Sequence, residues 1–308
     1  MISGIKKNFY KFFNKDKYNS IKTDLIVKKS IKTFNERTKE KIEKIFNNIE
    51  KKKELNFLHS GHCGDIICSL SVLKELSKTH KCNLFIEVDK RMSLPYFKHP
   101  AGKVFLDERI FNMLYPLLKN QNFLNDIRKY NTEEIDVDLN FFREMPINLS
   151  FNSVRWFFHI TGIHCDLNEP YLSSADHKTM KNKIIIHRSF RYRNNFINYD
   201  FLNNYENLYF IGLPNEYEDL KKQINKLNFY DCVDYQDMAC IIKSSKFFLG
   251  NSSLAFPMAE ALKVPRILEA CPDFPIMQPI GKDAFDFYYQ PHFEKLFNFL
   301  NNKYSNNK

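Results

Sequence analysis

The sequence predicts an α/β protein built from two alternating halves, and three observations carry that prediction. A short apolar run at Leu55, Phe57 and Leu58 passes within a few residues into a helical pattern at Ile66, Ile67, Leu70, Leu73 and Leu76. A β/α alternation then fills about 110 residues. A second alternation begins at Lys183. Such alternation calls for mostly parallel sheets covered by helices, and two Rossmann-like halves of similar size imply a cleft between them.

The elements are read in chain order. Residues 1–54 hold 16 basic and 7 acidic residues, a balance of +9 in a chain whose total is +10. The body is therefore nearly neutral, and nucleic-acid binding by the body has no electrostatic support. In this basic helical arm, Ile5, Phe9, Phe12 and Phe13 can share one helix face, with Lys6, Lys7, Lys11 and Lys15 on the other. Three outcomes are open: a segment resting on an anionic membrane surface, an amphipathic helix packed on the body, or a solvated basic extension. Residues 36–54 read as an exposed charged helix leading into the first strand.

From residue 55 to 170 the expected elements are the strand at 55–58, the helix at 66–76, and a strand from Asn83 to Val88. A short strand at 104–106, a helix over 110–130, a strand at 135–139 and a helix at 153–160 around Trp156 follow. The polar stretch from Cys165 to Asn182 marks the boundary. The second domain, 183–285, predicts strands at 183–187, 208–213, 247–250 and 266–269. Its helices are expected at 215–227 after Pro214, at 235–243 and at 252–263. A final helix, His292 to Asn302, lies within the carboxyl-terminal segment 286–308.

No run is long enough to span a bilayer, and lysines interrupt the early apolar residues too often for a signal peptide. A cytoplasmic protein is expected, with peripheral attachment at the inner face of the membrane as the variant the arm would add. The seven cysteines lack paired metal-ligand spacing and read as reduced thiols. His62 beside Cys63, and His159 with His164 and Cys165, read as loop or core residues, so no metal site is predicted.

Two constellations carry chemistry. The first is the turn Gly61-His62-Cys63-Gly64-Asp65, where glycines permit a tight turn and close approach to a bound group. Asp65 sits where open α/β folds place their ligands, and it is equally readable as a cap on the following helix. The second begins where Ile184-Ile185-Ile186 runs into His187-Arg188-Ser189-Phe190-Arg191-Tyr192-Arg193. Three arginines in six residues can grip a diphosphate bidentately, the alternative being a solvated basic loop. Nearby in pattern, Gly250-Asn251-Ser252-Ser253 follows a strand and opens a helix whose free amides suit an anionic group; capping by either serine is compatible with that.

Taken with Ser69, Leu70 and Leu73, Gly64-Asp65-Ile66-Ile67 resembles the amino-terminal signature of the ADP-heptose:lipopolysaccharide heptosyltransferases and their GT-B glycosyltransferase relatives. The segment from Met238 through Gly250-Asn251-Ser252-Ser253 to Ala259-Glu260-Ala261-Leu262-Lys263-Val264-Pro265 is similar to that family's donor-binding segment. The resemblance covers most of residues 55–300. It implies a GT-B fold whose amino-terminal domain receives the acceptor and whose carboxyl-terminal domain holds a nucleotide sugar. It further implies Asp65 as general base, inversion at the anomeric carbon, and Arg188, Arg191 and Arg193 near the diphosphate. Where the family has aspartate, hydroxyl residue and glycine, this chain has Ser252-Ser253-Leu254, and Pro257 stands at the usual histidine, which leaves the donor open.

The expected function is an inverting glycosyltransferase building a surface or capsular glycan on a glycan or lipid-linked glycan acceptor. The donor would be a nucleotide sugar bound as substrate, with no cofactor required. Gly64, His187, Asn251, Ser252, Ser253 and Glu260 are the remaining candidate donor contacts, Glu260 and Glu269 through sugar or ribose hydroxyls, with an exposed helix position as the alternative for Glu260. A non-catalytic nucleotide-sugar or glycan-binding protein, and a nucleotide-sugar epimerase, are the alternatives on the same fold.

Overall fold

The computed structural model describes residues 9–92, 101–146 and 149–305. Ile5, Lys6 and Lys7 of the expected amphipathic turn lie outside the described residues. Residues 9–13 are helical, and Asn14 then breaks the helix and caps the next one, its side chain accepting from the Lys17 amide at 2.9 Å. Helix α1 (Lys15–Thr33) continues through a π-helical turn at Phe34–Thr38 into α2 (Lys39–Lys51). The two helices differ sharply in burial: α1 has no buried residue, whereas α2 seats Ile45 in the core. Asn48 of α2 donates to the Asp136 carbonyl at 3.0 Å, and His80 donates to the Ile49 carbonyl at 2.9 Å.

The first sheet comprises β1 (Glu54–His59), β2 (Lys81–Ile86), β3 (Asp126–Lys129) and β4 (Val137–Asp138), all parallel, in the order β3-β2-β1-β4. Its helices are α3 (Cys63–Leu76), α4 (Glu108–Lys119) and α5 (Val154–Thr161). The second sheet comprises β5 (Ile184–His187), β6 (Leu208–Ile211), β7 (Asn228–Tyr230), β8 (Phe247–Asn251), β9 (Arg266–Glu269) and β10 (Ala284–Phe287). It too is parallel throughout, in the order β10-β9-β8-β5-β6-β7. Helices α6 (Pro214–Lys221), α7 (Tyr235–Ser244), α8 (Ala255–Leu262) and α9 (Gln290–Ser305) cover it. Phe293, Phe297 and Leu300 of α9 are fully buried against this second half.

In both sheets the chain moves outward in one direction and then returns to the other side of its first strand. The reversals fall between β1 and β4 and between β5 and β8. At such switch points the loops leaving the strand carboxyl ends diverge to opposite faces and open a crevice. Helix α3 packs on α8, and α4 on α7, so one apolar core runs from the first sheet into the second. That seam explains why α3 is buried nearly all round, its Ser69 and Ser71 hydroxyls donating to the Ile66 and Cys68 carbonyls.

Several expected elements are corrected. The helix predicted over 110–130 ends at Lys119, and the rest of that span holds β3. β3 is an edge strand with half-exposed or exposed side chains, so it carries no apolar alternation to announce it. The helix predicted to Leu227 likewise stops at Lys221, whose ammonium donates to the Asn225 and Leu227 carbonyls and turns the chain into the edge strand β7. β4 ends at Asp138 because that carboxylate accepts from the Asn140 amide and starts a 3-10 turn at Leu139–Arg143. Residues 104–106 contribute only an antiparallel bridge between Arg91 and Val104, and β10 had no counterpart in the sequence reading. Among the described residues no helix is long and apolar enough to cross a membrane.

Candidate active site

Both switch points open onto one cleft of about 840 Å³, within the range typical of small-molecule sites. From the first half it is lined by His62, Cys63, Gly64 and Asp65, and from the second by His187, Ser189, Arg191, Tyr192, Ser252 and Ser253.

Asp65 lies in the first turn of α3, just beyond the carboxyl end of β1. The capping reading is settled by geometry: the cap position is His62, no side chain caps the helix, and the Asp65 carboxylate points elsewhere. Its Oδ2 accepts from Arg143 Nη2 at 2.6 Å. Arg143 comes from the 3-10 turn after β4, so the pair joins the two strands that flank the switch point. The guanidinium stacks between Phe105 at 4.6 Å and Phe142 at 4.2 Å and also donates to Asn140 Oδ1 at 3.2 Å. Burial pulls its pKa down, and Asp65 and Asp138 oppose that pull.

Gly61 is a steric requirement of this pair. A Cβ there would stand 2.6 Å from His59 Cε1, 2.7 Å from Arg143 Nη2 and 3.0 Å from Asp65 Oδ2. Gly64, by contrast, is an ordinary helical residue whose Cβ would meet only Pro257 Cγ, at 3.5 Å. It lies on the floor of the cleft opposite the second half.

The arginine loop separates into three different roles. Arg188 is buried and reaches back under the sheet, holding Glu269 through Nε at 2.7 Å and Nη2 at 3.0 Å. Glu269 also accepts from the Tyr199 hydroxyl at 2.7 Å and the Asn194 amide at 2.6 Å. Arg193 pairs with Asp219 at 2.5 Å and holds that carboxyl below its usual range. Arg191 alone of the three lines the cleft, stacked on Tyr192 at 5.2 Å and without an ion pair among the described residues. Asp65 and Arg191 both act electrostatically on His62 and on Tyr192, which places them about the same space.

The expectation that all three arginines and both glutamates meet a ligand is therefore corrected. Arg188 and Glu269 are consumed by one buried network; Arg193 gives Nη1 to Asp219, keeps Nε and Nη2 buried without a partner among the described residues, and is not among the residues that line the cleft. Glu260 is also buried, paired with Arg266 at 2.6 Å and with Lys263. Asn251 is a brace rather than part of the lining: its Oδ1 accepts from the Ser189 amide at 3.1 Å and its Nδ2 donates to the Ser189 carbonyl at 2.8 Å. It thereby ties the end of β8 to the loop bearing Arg191.

Ser252 and Ser253 line the cleft at the start of α8, and neither caps that helix through its side chain. His187 contributes a buried neutral imidazole. Its Nδ1 donates to the Ile211 carbonyl at 2.8 Å, which leaves Nε2 as an acceptor without a partner among the described residues, and burial lowers its pKa. The close approach of this ring explains Gly212, whose φ is +141° and whose Cβ would stand 2.9 Å from His187 Nδ1. Glu216, from the start of α6, accepts from the Phe190 amide at 3.1 Å and steadies the loop from the other side.

Sequence reasoning missed Arg143, which reaches Asp65 only because β4 lies beside β1. All seven cysteines are free; burial pushes Cys68, in the cleft wall, up to about 12. His159 and His164 pack edge-on or tilted against Phe151 and Phe158. Among the described residues no group of three or more His, Cys, Asp or Glu could hold a metal ion.

No protein-family model and no curated protein sequence matches this chain. Solved structures do. The glycosyl transferase family 9 protein from Veillonella parvula DSM 2008 aligns over 80% of this chain and 89% of its own, with a TM-score of 0.53 and 11% identity. The E. coli ADP-heptose lps heptosyltransferase II aligns over 82% and 99%, with a TM-score of 0.47 and 11% identity. The E. coli heptosyltransferase WaaC with ADP-2-deoxy-2-fluoro heptose aligns over 80% and 99%, with a TM-score of 0.45 and 11% identity. At this identity the first of these likenesses concerns the fold: two Rossmann-like halves facing across a cleft, the GT-B arrangement.

Proposed function

We propose that this chain is an inverting glycosyltransferase that moves a sugar from a nucleotide-sugar donor to a glycan or lipid-linked glycan acceptor. One observation carries the reading: the switch points of both sheets open on a single cleft, with a carboxylate on one side and a cationic loop and helix start on the other. The fold shared with the family 9 glycosyl transferase supports it.

Asp65 takes the proton of the acceptor hydroxyl as that oxygen attacks the anomeric carbon. The bond from the anomeric carbon to the diphosphate breaks on the opposite face, so configuration inverts and the electron pair leaves with the nucleoside diphosphate. Arg191 and the hydroxyls of Ser252 and Ser253 neutralise the charge that develops there. Arg143 holds Asp65 aimed into the cleft, and His187 Nε2 accepts a hydrogen bond from a donor hydroxyl or amine.

A thermal-shift screen against UDP-, GDP-, ADP- and CMP-sugars, followed by transfer assays, tests this. One nucleotide class should stabilise the protein, and Arg191→Ala should weaken that stabilisation. Absence of both binding and turnover across the panel would reject the proposal. Conversion of a donor without acceptor would replace it with the epimerase reading, and binding without any turnover would replace it with the binding-protein reading.

A further inference from the structure

We propose that helix α1, with the aromatic turn that precedes it, docks this protein on an anionic lipid surface. The inference does not depend on the glycosyltransferase reading. Residues 9–33 contain seven lysines, Lys11, Lys15, Lys17, Lys22, Lys28, Lys29 and Lys32, all exposed, against two aspartates. At 3.6 residues per turn, the six lysines of α1 fall within roughly 160° of its circumference. Asp16 and Asp24 lie outside that arc, and so does the exposed stripe of Val27, Ile31 and Phe34. The helix thus presents one coherent basic face, about 28 Å long at 1.5 Å per residue.

Two further observations fix what meets that face. Phe12 and Phe13 are 80% and 74% exposed and Phe9, stacked on Phe13 at 4.8 Å, is 59% exposed, so three aromatic rings form an exposed cluster ahead of α1. Water is a poor solvent for such a cluster, and the interfacial zone of a bilayer is a good one. The helix is also held at a defined angle, since the π turn passes directly into α2, which Ile45, Asn48 and the Lys41–Glu144 pair at 2.6 Å fasten to the body. Within the basic face Lys17 lies over the Tyr10 ring at 4.8 Å and Lys32 reaches Glu36 at 3.8 Å; the other lysines of the face form no ion pair among the described residues. A second copy of the chain would set lysines against lysines. Nucleic acid would be served by arginine, with its planar fork, yet every basic residue of 9–33 is lysine. Lysines beside aromatic residues, on a body of near-zero charge, fit an anionic headgroup layer.

The test is co-sedimentation of the full chain with vesicles of phosphatidylcholine alone and with about one-third phosphatidylglycerol. Wild type should bind the anionic vesicles at least tenfold more tightly. Raising salt from about 0.1 M to about 0.5 M should weaken this binding, because the screening length falls from about 10 Å to about 4 Å. Lys22→Glu with Lys29→Glu and Lys32→Glu should lose binding by at least tenfold while the melting temperature stays unchanged, since none of these side chains is buried. Phe12→Ser with Phe13→Ser should lower affinity for the anionic vesicles even at low salt. Equal sedimentation with both vesicle types, or full binding by the triple glutamate variant, would overturn the proposal. Tighter binding of a duplex DNA or RNA probe than of the anionic vesicles would overturn it in favour of a nucleic-acid partner.

Discussion

Replacing Asp65 with Asn separates chemistry from folding, because the two consequences have different sizes. Asn keeps the shape of the side chain and can still accept from Arg143, but it cannot take a proton. Loss of a positioned general base typically slows a reaction about 10²- to 10⁴-fold, or about 3–5 kcal/mol of barrier at 1.36 kcal/mol per tenfold. The structural cost is smaller. The pair is partly exposed, 26% on Arg143 and 19% on Asp65, and Arg143 keeps Asn140 and its two phenylalanine faces. Weakening one charge-assisted hydrogen bond in that setting costs about 1–2 kcal/mol, well inside the stability of a domain of about 5–15 kcal/mol. The variant should fold, melt a few degrees lower, and bind nucleotide sugar as wild type does, while transfer falls at least a hundredfold. Turnover within about threefold of wild type, with intact nucleotide binding, would refute Asp65 as base and with it the direction of proton flow.

The arginine loop gives an opposed pair of outcomes: Arg191→Ala should raise the dissociation constant for the nucleotide at least tenfold with a nearly unchanged melting temperature. Arg188→Ala should cost about 3–5 kcal/mol, measured by chemical denaturation, because it strands Glu269 as a buried charge. Gly61→Ala should destabilise the protein by about 1–3 kcal/mol and reduce transfer, since the new methyl group displaces the Asp65–Arg143 pair; unchanged activity would show that the pair is not needed. His59 and His187 are buried neutral, with folded-state pKa values driven below the usual 6.5 by burial. As the pH falls through about 6.5 the unfolded chain takes up protons that the folded one refuses, so each residue removes up to about 1.4 kcal/mol per pH unit. Their contribution is flat above that point. A melting temperature that rises between about pH 7.5 and pH 5.5 would contradict this sign.

The α/β class and both strand-to-helix turns could be read from sequence because three of the four strands that flank the switch points, β1, β5 and β8, contain apolar runs. Phe57-Leu58, Ile184-Ile185-Ile186 and Phe247-Phe248-Leu249 are covered on both faces and carry no polar alternation. The edge strands β3, β7 and β10 were hidden for the opposite reason: their half-exposed side chains resemble the loops around them. At the site, the position of a charge in the chain was informative and its partner was not. Arg188, Arg191 and Arg193 are near neighbours in sequence, yet which one is free depends on Glu269 and Asp219, brought up by β9 and α6. Arg143 escaped notice because its significance depends on β4 lying beside β1, a topological fact that no local pattern records.

The packing of α3 directly on α8 has a mechanical consequence. The carboxylate on one side of the cleft and the serines on the other are borne at the starts of two helices that touch, with Gly64 facing Pro257. Their spacing is therefore set at this seam, and the packing of α4 on α7 ties the two halves together a second time. At 3.5 Å the new methyl group of Gly64→Ala would make only an ordinary contact with Pro257 and should leave turnover nearly unchanged, whereas a larger side chain there, such as Gly64→Leu, should wedge the two sides of the cleft apart and lower it.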